Sequence, residues 1–324
     1  GAHRISALDM DVGGMMAYMQ YIMQVLTSFL MMSMMFILIP RASVSAGRIA
    51  EVLETEPSVA DDPAAAPARS AREDAASGTG LEFRNVSFAY PGAKDEALLD
   101  VSFTARPGET TAVIGSTGSG KSTLMNLIPR FYDVTAGTVS IDGIDIRRLP
   151  LSGLRRRLAY APQKSTLFTG TIGDNIAYAD PELPADALWR AADIAQARDF
   201  IEDREGGMDS EIAQGGVNVS GGQRQRLAVA RALARDAEVY IFDDSFSALD
   251  YKTDAALRGA LRRELRESVV LIVTQRVSAA MHADRIVVLD RGRVVGMGRH
   301  ADLTESCAVY REIALSQLDT EALA

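Results

Sequence analysis

The sequence predicts an α/β domain preceded by a transmembrane α-helix. Three observations support this fold class. No charged residue occurs between Asp11 and Arg41, an interval longer than the ~20 apolar residues that cross a bilayer core. After Leu81, short apolar strands alternate with helical stretches, which is an α/β pattern. One of these strands runs directly into a glycine-rich loop.

Composition excludes several kinds of protein. The 324 residues are enough for two domains. The net charge of −9, from 43 acidic and 34 basic residues, argues against nucleic-acid binding, which requires a basic surface. Cys307, the single cysteine, cannot form an internal disulfide, which indicates a reducing compartment. His3, His282 and His300 are scattered and form no cluster with metal-ligand spacing.

The apolar segment is the first element in chain order. We assign residues 1–56 to the C-terminal part of a membrane domain, with a span at 13–39 and a helical extension at 41–55. Aspartates precede the span, and Arg41 and Arg48 follow it, so the positive-inside rule places its C-terminal side in the cytoplasm. A buried, Met-rich helix of a soluble protein is the alternative. One helix cannot enclose a pathway, and residue 1 is Gly rather than Met, so we expect a fragment of a longer, multi-pass protein.

The remainder is predicted to be a linker at residues 57–80, rich in Ala, Pro, Asp and Arg, an α/β domain at 81–318 and a short tail at 319–324. We expect a helix at Ser122–Phe131. The predicted strands are Leu81–Tyr90, Thr110–Ile114, Val139–Ile141, Val239–Phe242, Val269–Val273 and Arg285–Leu289.

The glycine-rich loop matches the phosphate-binding pattern G-x-x-x-x-G-K-[ST] between a strand and a helix. Its glycines allow backbone N–H groups to face phosphate oxygens, and the helix N-terminus adds a favourable dipole. Lys121 is expected to reach the β- and γ-phosphates, and the Ser122 hydroxyl to ligate Mg²⁺. The predicted nucleotide-binding residues here are Gly115, Ser116, Thr117, Gly118, Ser119, Gly120, Lys121, Ser122 and Thr123.

A second element of the same chemistry is the apolar stretch Val239–Phe242, which ends in Asp243. A buried strand that delivers a carboxylate at its end can hold Mg²⁺ directly or through water. By itself this pattern is weak, but together with the phosphate-binding loop it predicts an ATP–Mg²⁺ site.

The stretch Val219-Ser220-Gly221-Gly222-Gln223 resembles the signature of the ATP-binding-cassette (ABC) family, usually Leu-Ser-Gly-Gly-Gln. The resemblance implies an α/β P-loop NTPase fold with a helical subdomain, in which Ser220, Gly221, Gly222 and Gln223 face nucleotide bound by the other subunit. It further implies that Tyr90 stacks on adenine, that Gln163 contacts Mg²⁺ and water, and that Asp250 ends the D-loop at the dimer interface. The fused apolar helix resembles the last membrane helix of exporters.

Two positions depart from the family pattern. After Asp243 the family usually has Glu, the general base, where this chain has Asp244. Asp is one methylene shorter, and a ~1 Å misplacement can cost ~100-fold in rate. The switch-loop His of the family is replaced by Gln275, which can donate a hydrogen bond but cannot become an imidazolium. Gln214 also stands where such exporters often have Glu.

Together these departures resemble the hydrolysis-impaired half of heterodimeric exporters. The implied partner is a second exporter half with an intact catalytic Glu and switch His, in a cell membrane where the apolar helix contacts lipid. A homodimer with a slow but working site is the alternative. A soluble or regulatory ABC module and another P-loop enzyme are the competitors from other classes. Drugs, lipids, peptides and siderophores all remain open as substrates.

Overall fold

The computed structural model describes residues 11–61, 78 and 80–317. Within these residues the chain divides at Ser58/Val59 into two compact units. Most of the predicted linker (62–77 and 79) and the predicted tail (319–324) lie outside the described residues. Ala60 and Asp61 of the predicted linker are described, and they lie at the start of the second unit and contact the rest of it. The Arg130 guanidinium donates to the Ala60 carbonyl at 3.2 Å, and the Leu151 N–H donates to Asp61 at 2.6 Å.

The first unit contains helix α1 (Val12–Leu53), which is 42 residues long, or ~63 Å at ~1.5 Å per residue. Asp11 caps its start by accepting from the Gly14 N–H. The hydroxyls of Thr27, Ser28 and Ser33 each donate to the carbonyl four residues earlier. These three hydroxyls thus satisfy their donors within the helix, as lipid requires. Of the described helices, only α1 is long and apolar enough to cross a membrane.

The described residues of the second unit form three sheets. Its strands are β1 (Leu81–Phe88), β2 (Leu98–Ala105), β3 (Thr110–Ile114), β4 (Ala136–Ile141), β5 (Ile144–Asp145), β6 (Leu158–Ala161), β7 (Gly170–Thr171), β8 (Glu211–Ile212), β9 (Val239–Asp243), β10 (Val269–Thr274), β11 (Arg285–Asp290) and β12 (Arg293–Gly298). Its helices are α2 (Lys121–Leu127), α3 (Leu151–Arg156), α4 (Ile172–Ile176), α5 (Ala185–Ile194), α6 (Arg198–Glu202), α7 (Gly221–Leu233), α8 (Tyr251–Glu264), α9 (Val277–Ala280), α10 (His300–Ser306) and α11 (Ala308–Leu315).

The largest sheet has six strands in the order β12-β11-β3-β10-β9-β6. All neighbours pair in parallel except the β11–β12 edge pair. Its central strands β9 and β10 are buried at every position, as expected for parallel strands covered on both faces. A four-stranded antiparallel sheet, β2-β1-β4-β5, and the short pair β7-β8 complete the unit.

Three apolar clusters hold these layers together. One lies between the four-stranded and six-stranded sheets and includes Leu124 and Met125 of α2. The second joins β9 and β10 to the helices α4 to α8. The third packs α9, α10 and α11 against β3 and β11, with Tyr310 at its centre. The phosphate-binding loop therefore leaves a strand that is packed on both faces.

The six predicted strands are all present, with bounds within two residues of those expected at most ends. The predicted helix Ser122–Phe131 is shorter, because α2 ends at Leu127. Arg130 has φ +54°, in the left-handed region that a helix cannot continue through. The strands β2, β6 and β12 and the two-residue strands β5, β7 and β8 were not predicted from the sequence.

Placing a charge in the middle of α1 tests whether this helix crosses a membrane. We expect Phe29→Arg to cost ~2.5–3.5 kcal/mol of insertion free energy, because a guanidinium near the bilayer centre is poorly solvated. The fraction of protein retained in alkali-washed membranes measures this loss. Val52→Arg, in the same helix but beyond the uncharged run, is the matched control. Equal retention of both variants would contradict a span centred on Phe29.

Candidate functional site

The candidate site lies at the carboxyl edge of the six-stranded sheet. The strands β3, β10, β9 and β6 are neighbours in that order and run parallel. Register pairs Ile114 with Thr274 and Val273 with Asp243, so these strands end at the same level. Ligands in open α/β sheets bind at this edge. The phosphate-binding loop, Gln275, Asp243 and Gln163 each follow or end one of these four strands.

The loop after β3 has glycine at two positions with left-handed backbone. Gly118 and Gly120 have φ of +80° and +103°, a region that glycine adopts without strain. A Cβ at Gly120 would lie 2.8 Å from Leu98 Cδ2 and 2.9 Å from the Ala97 carbonyl. Ser116, Thr117 and Gly118 are exposed at the tip of the loop, whereas the Ser119 side chain is buried.

Lys121 opens α2 and lies inside the loop. Its Nζ donates to the carbonyls of Gly115 and Ser116 at 2.6 and 2.7 Å, and to Ser119 Oγ at 3.3 Å. Burial lowers the pKa of this ammonium, and the charges of Asp243 and Asp244 oppose that shift. The loop therefore holds a buried cation directly beneath its exposed tip, the arrangement that binds phosphate.

Tyr90, the predicted adenine-stacking residue, is joined to the loop helix. Its hydroxyl lies 3.0 Å from Thr123 Oγ1 in the first turn of α2. Its ring meets the rings of Phe88 and Tyr132 edge to face, at centroid distances of 4.9 and 5.2 Å. These contacts fix an aromatic side chain beside the phosphate-binding loop.

Asp243 ends β9 and is buried. Burial raises the pKa of its carboxyl group, while the hydrogen bond from the Tyr160 hydroxyl, at 3.2 Å, and the charge of Lys121 oppose the shift. The carboxylate of Asp243 and the hydroxyl of Ser122 are hard oxygen donors, which suit Mg²⁺. The described residues contain no cluster of three or more His, Cys, Asp or Glu that could hold a metal alone. Such a donor set fits Mg²⁺, which is usually bound by one or two carboxylates together with waters and substrate phosphates.

Asp244 stands next along the chain, with φ +45°, a conformation that Asp tolerates better than most residues. Its N–H donates to the Val273 carbonyl at 2.8 Å. Burial raises the pKa of its carboxyl group, and the nearby Arg276 charge and a hydrogen bond from Gln163 oppose this. The sheet edge thus brings Gln163, Asp243 and Asp244 together.

Gln275, at the predicted switch position, faces the phosphate-binding loop. The Thr117 hydroxyl donates to Gln275 Oε1 at 3.3 Å. The predicted switch residue, which follows β10, therefore contacts the loop that follows the neighbouring strand β3.

The signature residues form the start of α7, a helix of 13 residues. Ser220 Oγ accepts from the Gln223 N–H, and the Ser220 N–H donates to Gln223 Oε1, which is a capping box. Ser220 and Gly221 are exposed. The side-chain hydrogen bonds of Ser220 and Gln223 among the described residues are to each other, and none reaches the phosphate-binding loop. The exposed N-terminus of a long helix can receive an anion from outside the chain.

Gln225 is a residue beside the candidate site that the sequence analysis did not single out. Its side chain is buried on α7 and clamps the segment after β9. Nε2 donates to Ser247 Oγ at 3.1 Å and to the Asp244 carbonyl at 3.4 Å, and Oε1 accepts from the Ala248 N–H at 2.8 Å. The signature helix is therefore bound to the residues that carry the candidate base. No local sequence pattern identifies this contact.

Asp250, the predicted D-loop residue, caps α8. Its carboxylate accepts from the N–H and the hydroxyl of Thr253, at 3.0 and 2.7 Å. These bonds lower the pKa of the Asp250 carboxyl group. The side chain is exposed, so it remains accessible from outside the unit while it fixes the helix start.

Comparisons with known proteins agree with this geometry. A family model described as "ABC transporter" matches residues 98–247. An ABC transporter ATP-binding protein of Mycobacterium tuberculosis is 44% identical over 322 residues, 98% of this chain and 54% of that protein. An ATP-dependent lipid A-core flippase of Pseudomonas aeruginosa is 42% identical over 243 residues, 75% of this chain and 40% of the flippase.

Among solved structures, a bacterial Atm1-family ABC exporter with ATP bound matches with a TM-score of 0.81 and 32% identity, over 93% of this chain and 51% of the exporter. The chain thus spans about half the length of the proteins it matches. The chain belongs to the ABC transporter ATPase family, with an ABC-type P-loop NTPase domain that follows an apolar helix.

Proposed function

We propose that this chain is the ATP-binding part of an ABC exporter subunit that couples ATP binding and hydrolysis at a dimer interface to export. The observation that supports this most directly is the convergence of the phosphate-binding loop, Asp243, Asp244 and Gln275 at one sheet edge. The apolar helix α1 precedes this ATP-binding domain, and the match to the exporter structure covers 93% of the chain. In the proposed full-length protein the membrane part is multi-pass and the ATP-binding domain is cytoplasmic.

ATP and Mg²⁺ are bound by this chain's own residues in the proposal. Lys121 and the loop N–H groups hold the β- and γ-phosphates, Tyr90 stacks on the adenine, and Ser122 and Asp243 hold Mg²⁺ with Gln163 beside it. When bound, Mg²⁺ neutralises phosphate charge and polarises the γ-phosphoryl group.

Loss of the buried ammonium tests nucleotide binding. We expect Lys121→Ala to weaken ATP binding to this subunit by at least about tenfold, because charge-assisted hydrogen bonds contribute ~1.5–3 kcal/mol each. Photolabelling of the purified full-length transporter with 8-azido-ATP, followed by separation of the subunits, measures occupancy of each one. Lys94→Ala, at an exposed lysine outside the loop, should label like the wild type. Normal labelling of Lys121→Ala would refute the assigned phosphate site.

The proposed site on this chain hydrolyses ATP slowly. Asp244 is one methylene shorter than the family's Glu, and its carboxylate already interacts with Gln163, Ser247 and Arg276. A general base must reach the proton that it abstracts. Because these partners hold the short Asp244 side chain, its carboxylate extends less far toward the attacking water. Gln275 cannot supply the positive charge of an imidazolium at the γ-phosphate.

The signature of this chain serves the partner's site in the proposal. Ser220–Gln223 is intact in sequence and lies exposed at the start of α7. The capping box occupies the N–H groups of Ser220 and Gln223, which leaves those of Gly221 and Gly222 without an intrahelical partner to meet the γ-phosphate bound to a second exporter half with an intact Glu and His. The intact signature beside an altered base and switch favours a heterodimer over a homodimer with a slow but working site.

Two substitutions separate these assemblies. In the heterodimer, we expect Ser220→Ala to reduce the steady-state ATPase activity of the purified pair by ~10²–10³-fold, the usual cost of losing a donor to developing charge. Asp244→Asn should reduce it less than about twofold, because that site contributes little turnover. In a homodimer every site contains both residues, so both substitutions should abolish activity.

Photolabelling with 8-azido-ATP provides the control, since both variants retain Lys121 and should label normally. If Asp244→Asn reduces ATPase activity as much as Ser220→Ala does, Asp244 is a working base and the impaired-site proposal is wrong.

A further inference from the structure

Gln317 lies two residues beyond α11 and contacts the loop that carries the switch residue. Its Nε2 donates to the Gln275 carbonyl at 2.8 Å, and its Oε1 accepts from the Val277 N–H at 2.9 Å. One side-chain amide thus binds the backbone on both sides of Arg276. The donor and the acceptor of one planar amide have a fixed separation. The loop backbone therefore cannot shift or rotate without breaking one of the two hydrogen bonds.

The helix that carries Gln317 is itself firmly anchored. Tyr310 and Ala314 of α11 are fully buried in the cluster that also contains Val277 of α9 and Ile114 at the end of β3. The His300 ring lies 2.8 Å from the Tyr310 hydroxyl. The amide of Gln317 is therefore held at a fixed place relative to the strand that leads into the phosphate-binding loop.

The switch loop, whose backbone Gln317 binds, also contacts the phosphate-binding loop through the Gln275 side chain. The Thr117 hydroxyl donates to Gln275 Oε1, and Arg276 is the largest electrostatic influence opposing the raised pKa of the Asp244 carboxyl group. The backbone between Gln275 and Val277 thus sets the position of two side chains at the nucleotide site.

We propose that Gln317 is a positioning residue for nucleotide: its amide holds the backbone on both sides of Arg276 so that Gln275 stays at the phosphate-binding loop. This inference rests on the proposed ATP site. Gln317 touches no residue of the phosphate-binding loop in its two side-chain bonds, so it acts through the switch loop. Release of the clamp lets the switch loop move away from bound phosphate and shortens the time that nucleotide is retained.

Two substitutions of Gln317 change its two hydrogen bonds with little change in the size of the side chain. Gln317→Glu keeps an oxygen for the Val277 N–H but replaces the donor to the Gln275 carbonyl with an anionic oxygen. Gln317→Met removes both bonds at similar length. Ser316→Ala is the matched control, because its hydroxyl bonds only the Ile313 carbonyl within the same helix end.

The measurement is retention of 8-azido-ATP on this subunit of the full-length transporter during a chase with unlabelled ATP and Mg²⁺. Since Gln317 is exposed and water competes for its bonds, we expect release to be about 3–10-fold faster in both Gln317 variants. Ser316→Ala should match the wild type. Thermal unfolding midpoints of all variants should agree, because the anchoring side chains of α11 are retained.

A double-substitution cycle distinguishes positioning from general stabilisation. With Gln275→Ala the positioned side chain is absent, so adding Gln317→Glu should accelerate release by less than about twofold. Unchanged retention in Gln317→Glu, or the same acceleration with and without Gln275, would overturn the inference. Lys121→Ala, measured in parallel, separates the two proposals. If this variant is still labelled by 8-azido-ATP, the proposed ATP site is wrong. If it loses the label while the Gln317 variants release nucleotide at the wild-type rate, only the proposed role of Gln317 is refuted.

Discussion

Parallel pairing of β3, β10, β9 and β6 is the constraint on which the site depends, because it fixes where each functional loop begins. Each strand delivers one component at the same sheet edge: the phosphate-binding loop, Gln275, Asp243 with Asp244, and Gln163. The strands are apolar and buried on both faces, so their register resists slippage. A one-residue shift of β10 relative to β3 would move Gln275 away from Thr117 and separate the switch from the loop.

Burial then determines the electrostatics at this edge. Lys121, Asp243 and Asp244 are withdrawn from water, which disfavours the charge on each. The attraction between Lys121 and the two carboxylates partly offsets this effect, whereas the charge of Asp244 adds to the raised pKa of Asp243. A low local dielectric also strengthens any interaction with added phosphate or Mg²⁺. The site therefore holds one cation and two carboxylates whose charges partly compensate one another. The exposed residues Ser116 and Thr117 lie at the tip of the adjacent loop.

The sequence predicted the parts of the molecule that depend on local patterns. The uncharged run predicted α1, and the glycine spacing predicted the loop at Gly115–Ser122, because these patterns directly reflect membrane thickness and backbone geometry. Contacts between distant segments were not predictable. Gln225 with Ala248, Tyr160 with Asp243, and Gln317 with Gln275 are each set by tertiary packing, and the amide or phenol involved has no distinctive neighbours in the chain. The strand β12 was missed because two glycines interrupt its apolar residues.

The hydrogen bonds around Asp244 separate its backbone from its side chain. The N–H donates to the Val273 carbonyl, and the Asp244 carbonyl accepts from Ser247 Oγ at 2.9 Å and from Gln225 Nε2 at 3.4 Å, so these bonds use only the backbone of Asp244. Asn, which like Asp tolerates the φ of +45°, can therefore neutralise the carboxylate while the signature helix keeps its attachment. In the heterodimer that we propose, a change at Asp244 therefore alters turnover at this chain's own site and leaves the exposed start of α7 in place for the partner.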